Sequence, residues 1–247
     1  MIKNRKKVDV SPTYKFTTSN IIPSSKFLPI SLIIITYKSN NQIKKSLTKV
    51  LNSTKIPNEI IIIDNNSPKS PLNAIKEIVS EIEEKYLPNI SFYERKHNFG
   101  FANSVNLGIN LSENTNYLLL NPDLFLNKNA IESLYKSKIK KSIIGGKTFN
   151  QKLEIYPTVT KEICLLGIII EFTSLKKILN IINPKKSFFW DFSAVYENKK
   201  TFVSGVSGCM MLFDKKVIKE IGYFDSEYFL YLEDLDFCHR AKENNIP

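Results

Sequence analysis

Ile30-Ser31-Leu32-Ile33-Ile34-Ile35-Thr36 is an apolar stretch of strand length in which β-branched residues predominate. A polar turn follows, and residues 43–51 then carry their apolar side chains at intervals of three and four positions. This spacing is typical of an amphipathic helix, whereas an unbroken β-branched run is typical of a buried strand. We therefore expect the fold to begin near Pro29 with a strand, a loop and a helix.

The same alternation continues towards the C-terminus. Further strands are predicted at residues 59–64, 90–94 and 117–120, and further helices at residues 72–86 and 101–111. Strands and helices that alternate in this way predict a parallel, doubly wound α/β sheet. In such a sheet, ligands bind outside the carboxyl ends of the strands.

The N-terminal segment differs from this region in composition. Residues 1–28 are basic and polar, with Pro12, Pro23 and clusters of Ser and Thr, and we expect them to form a flexible arm that packs poorly. Residues 29–247 are expected to form a single domain, because their length suits one α/β core.

The pattern becomes less regular after Ile131. Residues 162–182 predict either an amphipathic helix that lies on a membrane or a helical insertion with a buried apolar stripe, and we favour the buried stripe. Residues 204–208 contain Gly205 and Gly208 and predict a tight loop that leads into a strand at residues 209–213.

Composition and charge narrow the classes of protein. With 43% hydrophobic and 24% charged residues, the 247-residue chain has the composition of an ordinary globular protein. The formal net charge of +11 favours anionic partners such as phosphates, nucleic acid or an acidic membrane face, unless it reflects a compositional bias. No zinc, helix-turn-helix or aromatic-rich strand signature is present, so no nucleic-acid partner is expected.

The sequence also bears on location. No apolar run approaches the ~20 residues that a membrane-spanning helix needs. Residues 1–7 are basic, but no apolar segment follows them, so no secretory signal is predicted. Cys164, Cys209 and Cys238 lack the spacing of a zinc site and are expected to be free thiols. We therefore expect a protein of the cytoplasm.

Acidic residues next to apolar runs are the first candidates for chemistry. Asn121-Pro122-Asp123 follows the strand predicted at residues 117–120; it suits a turn, and it also places Asp123 to bind a divalent cation that bridges a nucleotide diphosphate. Glu233-Asp234-Leu235-Asp236 precedes a predicted helix, where acids are expected from the helix dipole alone. The functional alternative is a carboxylate that deprotonates an acceptor hydroxyl.

Two further segments predict contacts with a nucleotide. Asp64 ends the second strand and either accepts a hydrogen bond from a nucleobase N–H or only closes an Asx-turn. Gly100 allows close backbone approach, and the free N–H groups of the helix behind it suit a diphosphate. Asn103 and Asn106 lie on one face of that helix and are candidates for a ribose or phosphate oxygen, with ordinary capping as the alternative.

Three other patterns are set aside. Gly145-Gly146-Lys147-Thr148 ends like a phosphate-binding P-loop but lacks the first glycine of that motif. No Gly-x-Gly-x-x-Gly follows the first strand, so a nicotinamide site is not predicted. His97 and His239 are isolated and are expected to make local hydrogen bonds.

Taken together, these segments resemble the family 2 inverting glycosyltransferases, in particular their rhamnosyltransferase-like group. The resemblance covers roughly residues 30 to 245 and implies a GT-A type, Rossmann-like, doubly wound mixed sheet in a single domain. It rests on the joint occurrence, in order, of Ile33-Ile34-Ile35-Thr36-Tyr37, Ile62-Ile63-Asp64-Asn65-Asn66-Ser67, Asn98-Phe99-Gly100-Phe101-Ala102-Asn103-Ser104-Val105-Asn106, Leu120-Asn121-Pro122-Asp123, Val203-Ser204-Gly205, and Gly222-Tyr223-Phe224-Asp225 through Glu233-Asp234-Leu235-Asp236.

The resemblance also implies roles for the matching residues. Asp123 corresponds to the metal-binding acid of the family's Asp-x-Asp motif, in which Asn121 replaces the first acid. Asp234 corresponds to the catalytic base of the Glu-Asp motif, Glu233 would orient it or the acceptor, and Asp236 is the weaker candidate for the base. The residues that would bind the nucleotide sugar are Thr36, Tyr37, Asp64, Asn65, Gly100, Asn103, Asn106 and Asn121.

The implied reaction is a single displacement that inverts the anomeric carbon, with Mg²⁺ or Mn²⁺ as cofactor. A sugar, rhamnose in this group, would pass from a dTDP- or UDP-linked donor to a cell-surface polysaccharide or lipid-linked glycan, with peripheral contact at the inner face of the plasma membrane. Such proteins usually continue past the Glu-Asp helix with a downstream His and an acceptor segment. We therefore expect a C-terminally truncated domain in which donor binding is better preserved than transfer. The alternative is a non-catalytic sugar-nucleotide-binding or membrane-docking module.

Overall fold

The computed structural model describes residues 11–16, 25–82, 87–162, 165–175, 177, 187, 189–192, 194 and 200–247. Its helices are α1 (Asn40–Leu51), α2 (Leu72–Ser80), α3 (Phe101–Leu111), α4 (Ala130–Ser137), α5 (Leu165–Phe172), α6 (Lys215–Ile221) and α7 (Glu233–Glu243). Its strands are β1 (Tyr14–Phe16), β2 (Phe27–Thr36), β3 (Ile56–Asp64), β4 (Asn89–Glu94), β5 (Asn116–Leu120), β6 (Ile144–Gly145), β7 (Thr148–Phe149), β8 (Ile155–Tyr156), β9 (Val159–Thr160), β10 (Gly205–Val206) and β11 (Met210–Asp214).

A mixed sheet forms the centre of the fold, which confirms the predicted α/β class. Seven strands lie in the order β1-β4-β3-β2-β5-β11-β6. The four central strands β4, β3, β2 and β5 run parallel, as the alternation of strands and helices predicts. β1 and β11 pair antiparallel with the strands at either side of this group.

The isoleucine runs become central strands because both of their faces are buried. Alternate side chains of a strand point to opposite faces of the sheet. Leu32 and Ile34 accordingly belong to a core that α1, α2 and α4 cover, whereas Ile33 and Ile35 belong to a second core under α3, α6 and α7. A strand that is buried on both faces has no polar side to alternate with, and for this reason it reads as one continuous apolar run.

β11 decides where the later part of the chain meets the earlier part. Residues 204–208 form the predicted loop around β10, and the strand that follows begins at Met210. β11 runs antiparallel to β5, with Met210 opposite Leu120. The beginning of β11 therefore lies beside the carboxyl end of β5, where the first acidic segment begins.

The structure differs from the sequence prediction at the N-terminus. Tyr14–Phe16 lie within the predicted arm, yet they form β1 and pair with residues 90–92 of β4. β2 begins at Phe27, before the predicted start near Pro29. A three-residue strand has no periodicity of its own, and only its pairing with β4 reveals it. Residues 1–10 and 17–24 of the predicted arm lie outside the described part.

The predicted helical insertion at residues 162–182 is described only in part. It contains α5, in which Leu166 and Ile169 are 64% and 43% exposed. These two side chains are therefore not part of the predicted buried stripe, because the described residues leave them exposed. Residues 163, 164, 176 and 178–182 lie outside the described part, and Cys164 is among them. The described helices include none that is long and apolar enough to cross a membrane.

Candidate functional site

The carboxyl ends of the central strands lie along one edge of the sheet. Thr36 is opposite Asp64 in the register of β2 and β3, and Asp64 is opposite Glu94 in that of β3 and β4. β5 ends at Leu120 on the same side of the sheet. This edge therefore collects the predicted site residues that follow the strands: Thr36, Tyr37, Asp64, Asn65, Asn121 and Asp123.

Asp64 is fully buried, and its carboxylate accepts hydrogen bonds from neighbouring groups of the chain. Oδ1 accepts hydrogen bonds from Thr36 Oγ1 at 2.8 Å and from Ser67 Oγ at 2.7 Å. Oδ2 accepts from the Ser67 N–H at 2.8 Å, three residues along the chain, so the carboxylate closes the loop that follows β3. Thr36 is also buried, whereas Tyr37 is 44% exposed. Asp64 thus fixes the loops after β2 and β3, and Tyr37 presents its side chain to solvent there.

A chain of hydrogen bonds joins this edge to α3. Asn65 Nδ2 donates to the Gly100 carbonyl at 3.1 Å, and Asn65 Oδ1 accepts from Ser104 Oγ at 2.6 Å. Arg95 Nη1 donates to Ser104 Oγ at 2.9 Å and to Asn103 Oδ1 at 3.0 Å. Two predicted residues, Asn65 and Asn103, are therefore linked through an arginine that the sequence prediction did not include.

Arg95 follows β4 directly, and its guanidinium carbon lies 4.0 Å from the centroid of the Phe99 ring. Burial lowers the pKa of this guanidinium. Arg95 makes no ion pair within the described residues. The sequence feature that could have identified Arg95 as a site residue is its position between a predicted strand and the loop that contains Gly100.

Gly100 lies against the backbone of a distant part of the chain. Its φ is +82°, and a Cβ at this position would lie 2.4 Å from the carbonyl oxygen of Phe229. The Phe101 N–H at the beginning of α3 donates to the same oxygen at 2.8 Å. The close backbone approach that the sequence predicted does occur, but it is to the chain's own residue 229. This carbonyl takes the first free N–H of the helix.

Asn106 likewise contacts the backbone of the chain itself. It is 2% exposed, its Nδ2 donates to the Phe224 carbonyl at 2.7 Å, and its Oδ1 accepts from the Phe224 N–H at 3.0 Å. A further donation reaches Ser226 Oγ at 3.3 Å. The amide is bonded at both ends by the backbone of Phe224, so it anchors that distant segment, and its contact with a nucleotide sugar stays a prediction.

The first acidic segment forms a turn and still presents a carboxylate. The Leu124 N–H donates to the Asn121 carbonyl at 3.2 Å, and the Asp123 side chain is exposed. A Mg²⁺ ion shared with a diphosphate needs only one or two protein carboxylates, because phosphate and water complete its shell. Asp123, with the Asn121 amide oxygen nearby in sequence, fits such an ion. The described residues contain no group of three or more His, Cys, Asp or Glu that would hold a metal by itself.

The second acidic segment reaches the same place through backbone contacts. Asp234 Oδ2 accepts from the Gly208 N–H at 2.8 Å, and Oδ1 accepts from the Leu235 N–H at 2.9 Å. The Cys209 carbonyl in turn accepts from the Asn121 N–H at 2.9 Å. Gly208 and Cys209 are consecutive, so this dipeptide joins two acidic segments that are about 110 residues apart in the sequence.

The thiol of Cys209 lies near both carboxylates. Its pKa is raised mainly by burial, and the negative charges of Asp234 and Asp123 raise it further. The two acids therefore share one electrostatic environment. Cys209 and Cys238 are free thiols, as predicted.

Glu233 differs from its neighbour in being buried. It is 5% exposed, and its Oε2 has no hydrogen-bond partner among the described residues. Burial raises the pKa of Glu233 to about 7, and the charge of Asp234 adds to this effect. A carboxyl group of this kind holds a proton near neutrality, so the Glu-Asp pair combines an anchored carboxylate with an adjacent titrating acid.

Asp236 is occupied by an ion pair. Its Oδ2 accepts from Arg240 Nη2 at 2.7 Å and from Arg240 Nε at 2.9 Å. Both residues lie on α7, four positions apart, and the pair stabilises this helix. Of the two acids proposed for proton transfer, Asp234 is the one without such a cation among the described residues.

Comparison with known proteins places this geometry in a family. A family model described as glycosyl transferase family 2 matches residues 31–222. The chain is 27% identical over 224 residues to the low-salt glycan biosynthesis hexosyltransferase Agl10 of Haloferax volcanii, with 88% of the chain and 62% of the relative covered.

Two solved structures share the fold. The mannosyltransferase PcManGT of Pyrobaculum calidifontis, in complex with GDP-Man and Mn²⁺, has a TM-score of 0.55 at 11% identity and covers 92% of this chain and 55% of its own. S. aureus TarS in complex with UDP-GlcNAc has a TM-score of 0.52 at 16% identity, with 87% and 53% covered. The chain thus spans between half and two thirds of the length of these proteins.

Proposed function

Because the chain belongs to glycosyltransferase family 2, we propose that it transfers a sugar from a nucleoside diphosphate donor to a hydroxyl group of a glycan. The observation that carries this proposal is the meeting of residues 121–123 and 233–236 at the Gly208-Cys209 dipeptide. One segment offers an exposed carboxylate for a cation. The other offers a carboxylate that backbone N–H groups hold in place.

The proposed donor is a dTDP- or UDP-linked sugar, with rhamnose as the sugar. The resemblance to the rhamnosyltransferase-like group supports rhamnose, and the two solved structures with the same fold contain GDP-Man and UDP-GlcNAc. The proposed acceptor is a cell-surface polysaccharide or a lipid-linked glycan. The name of the Haloferax relative, a glycan biosynthesis hexosyltransferase, supports this class.

In the proposed mechanism Asp234 accepts the proton of the acceptor hydroxyl while that oxygen attacks the anomeric carbon, so the configuration inverts. The N–H groups of Gly208 and Leu235 hold its carboxylate in one orientation. Asp123 and Asn121 would hold Mg²⁺ or Mn²⁺, which supplies charge stabilisation for the departing diphosphate when bound. Arg95 adds a fixed positive charge at the same edge of the sheet.

We also propose that the protein works in the cytoplasm, in peripheral contact with the inner face of the plasma membrane. The net charge of +11 supports attraction to anionic lipids. The exposed Leu166 and Ile169 on α5 offer apolar contacts.

The metal assignment is tested with Asp123→Ala. Wild-type protein should bind UDP or dTDP more tightly with Mn²⁺ than without it, and the variant should lose at least about 10-fold of the metal-dependent gain. Isothermal calorimetry measures both affinities. Glu94→Ala, which removes an exposed acid at the end of β4, is the matched control and should retain the gain. Equal affinities of the wild type with and without metal would refute the assignment.

The base assignment is tested with Asp234→Asn. A panel of nucleotide sugars is first screened for thermal stabilisation, since a bound ligand raises apparent stability. With the best donor, the variant should release nucleoside diphosphate at least about 100-fold more slowly and keep its donor affinity. Asp236→Asn removes an acid from the same helical turn and should retain most of the turnover. Full turnover in Asp234→Asn would show that another group takes the proton.

A further inference from the structure

We infer that Gly100 is a positioning residue for Asp234. The backbone at Gly100 and Phe101, which we call the seat, holds residues 224–232, the segment before α7, in place. This inference depends on the proposed function for its consequence in turnover, but its structural part can be measured separately. It assigns to Gly100 an indirect role in proton transfer instead of a contact with the donor.

The seat consists of the backbone at the beginning of α3. The Phe229 carbonyl oxygen lies where a Cβ of residue 100 would be, at 2.4 Å from its ideal position, and accepts the Phe101 N–H at 2.8 Å. Only a residue without a side chain leaves room for this carbonyl. The φ of +82° with an extended ψ is likewise a conformation that suits glycine.

Two further contacts hold the same segment. Asn106, one and a half turns along α3, binds both backbone polar groups of Phe224. Beyond the segment, Asp234 is held by the Gly208 N–H. The chain between residues 224 and 234 is therefore fixed at its beginning, at Phe229 and at its end.

The part of the segment next to Asp234 cannot set its own conformation. Tyr231 and Leu232 both have positive φ, at 72° and 71°, which L-residues avoid. Their side chains are 76% and 44% exposed, so packing contributes little to holding them. Leu232 precedes α7 without a side-chain hydrogen bond that caps the helix. A conformation of this kind persists only where the surroundings impose it, and the contacts on either side of Tyr231 and Leu232 are the seat at Gly100 and the bond between Asp234 and Gly208.

Gly100→Ala tests the inference. The added methyl group should displace the Phe229 carbonyl, and Asp234 should then lose its bond to the Gly208 N–H. We expect hydrogen exchange at the Gly208 amide to become at least about 10-fold faster. Turnover with the best donor should fall about 100-fold, as a displacement of about 1 Å can cause, whereas the affinity for UDP with Mn²⁺ should change less than about 3-fold. A folded variant with unchanged exchange at Gly208 and unchanged turnover would overturn the inference.

Gly108→Ala is the control on the same helix. A Cβ there would lie 2.5 Å from Ile33 Cγ2 in the core, far from residue 229. This variant should lose thermal stability but keep its turnover per folded molecule. An equal loss of turnover in both variants would mean that Gly100 acts only through stability.

A second pair of variants decides the matter if Gly100→Ala does not fold. Phe101→Pro removes the N–H that binds the Phe229 carbonyl, and proline is tolerated at the first position of a helix. Phe101→Ala removes the same ring and keeps the N–H. Faster exchange at Gly208 in the proline variant alone supports the inference, and equal exchange in both refutes it. This measurement holds even if the wild type binds no UDP, which would instead refute the proposed function.

Discussion

Glu233 is the residue in which burial and charge conflict most clearly. Its carboxyl group lies beside Asp234, is 5% exposed, and leaves Oε2 without a partner among the described residues. An ionised carboxylate in such a place loses its hydration without compensation, so the protonated form is favoured up to about pH 7. The residue next to the proposed base is therefore an acid that changes its charge in the physiological range.

This conflict predicts the pH dependence of stability. The pKa of Glu233 is raised from an ordinary value of 4.5 to about 7 in the folded state, so the folded state binds more protons than the unfolded state between these values. Its contribution to stability is present below about pH 4.5 and is lost as the pH rises to 7. The wild type should therefore lose this contribution between pH 5 and pH 8, whereas Glu233→Gln should not. The free energy of unfolding of the variant minus that of the wild type should rise between these two pH values by at most about 3 kcal/mol.

Urea denaturation at the two pH values measures this difference. Glu77→Gln, on the exposed face of α2, is the control, since its pKa is lowered by Lys44 and not raised. A stability difference between Glu233→Gln and wild type that is the same at pH 5 and pH 8 would contradict the prediction.

At the scale of the element, packing against neighbouring residues stabilises α7 more than capping at its ends does. Its first turn contains Glu233, Asp234 and Asp236, but the side chain of the preceding Leu232 does not cap it. Further along, the Phe237 ring stacks on Phe224 with centroids 4.2 Å apart and meets Phe213 at 5.2 Å. An aromatic cluster thus holds α7 against the sheet, and the acids at the beginning of α7 depend on this packing for their position.

Removal of this cluster should therefore cost stability. Phe237 is fully buried, so Phe237→Ala should lower the free energy of unfolding by about 3–5 kcal/mol. Phe229→Ala, at a residue that is 57% exposed, should cost less than about 1 kcal/mol, because the contact of residue 229 is through its backbone. Denaturant titration of both variants measures the difference, and similar costs would show that the cluster does not hold α7.

At the scale of the whole molecule, strand direction determines where the acids meet. The parallel strands place Thr36, Asp64 and Leu120 at one edge of the sheet. Because β11 runs antiparallel to β5, the residues before it, Gly208 and Cys209, lie at that edge as well. If β11 ran parallel to β5, Gly208 and Cys209 would lie at the opposite edge of the sheet. Asp234 would then have no contact with this dipeptide.

Much of the fold could be predicted from local patterns. The helix predicted at residues 101–111 is α3, and the strand predicted at residues 117–120 is β5 with one more residue. These elements have long apolar runs or clear helical spacing, which packing in a two-layered core preserves. β1 was missed because a strand of three residues at a sheet edge is too short to show a pattern. In α5, Leu166 and Ile169 are exposed, so these two residues are not part of a buried stripe.

The site was predictable at the level of segments and less so at the level of contacts. The end of β5 and the beginning of α7 come together at Gly208-Cys209. Arg95 was missed because a single cation in a loop resembles a solvated side chain until its contacts with Phe99 and Ser104 are known. Asn103 remains at the edge through its bond to Arg95.

The sequence by itself determined the α/β class, the central strands and the acidic segments, because these depend on patterns within ten or so residues. Only the tertiary structure decided what Gly100 and Asn106 contact, since their partners at residues 229 and 224 are more than a hundred positions away. Local sequence shows that a glycine permits close approach, but not which group approaches. That choice follows from the packing of α7 against the sheet, which brings a distant carbonyl to the helix end that the sequence had left open for a phosphate.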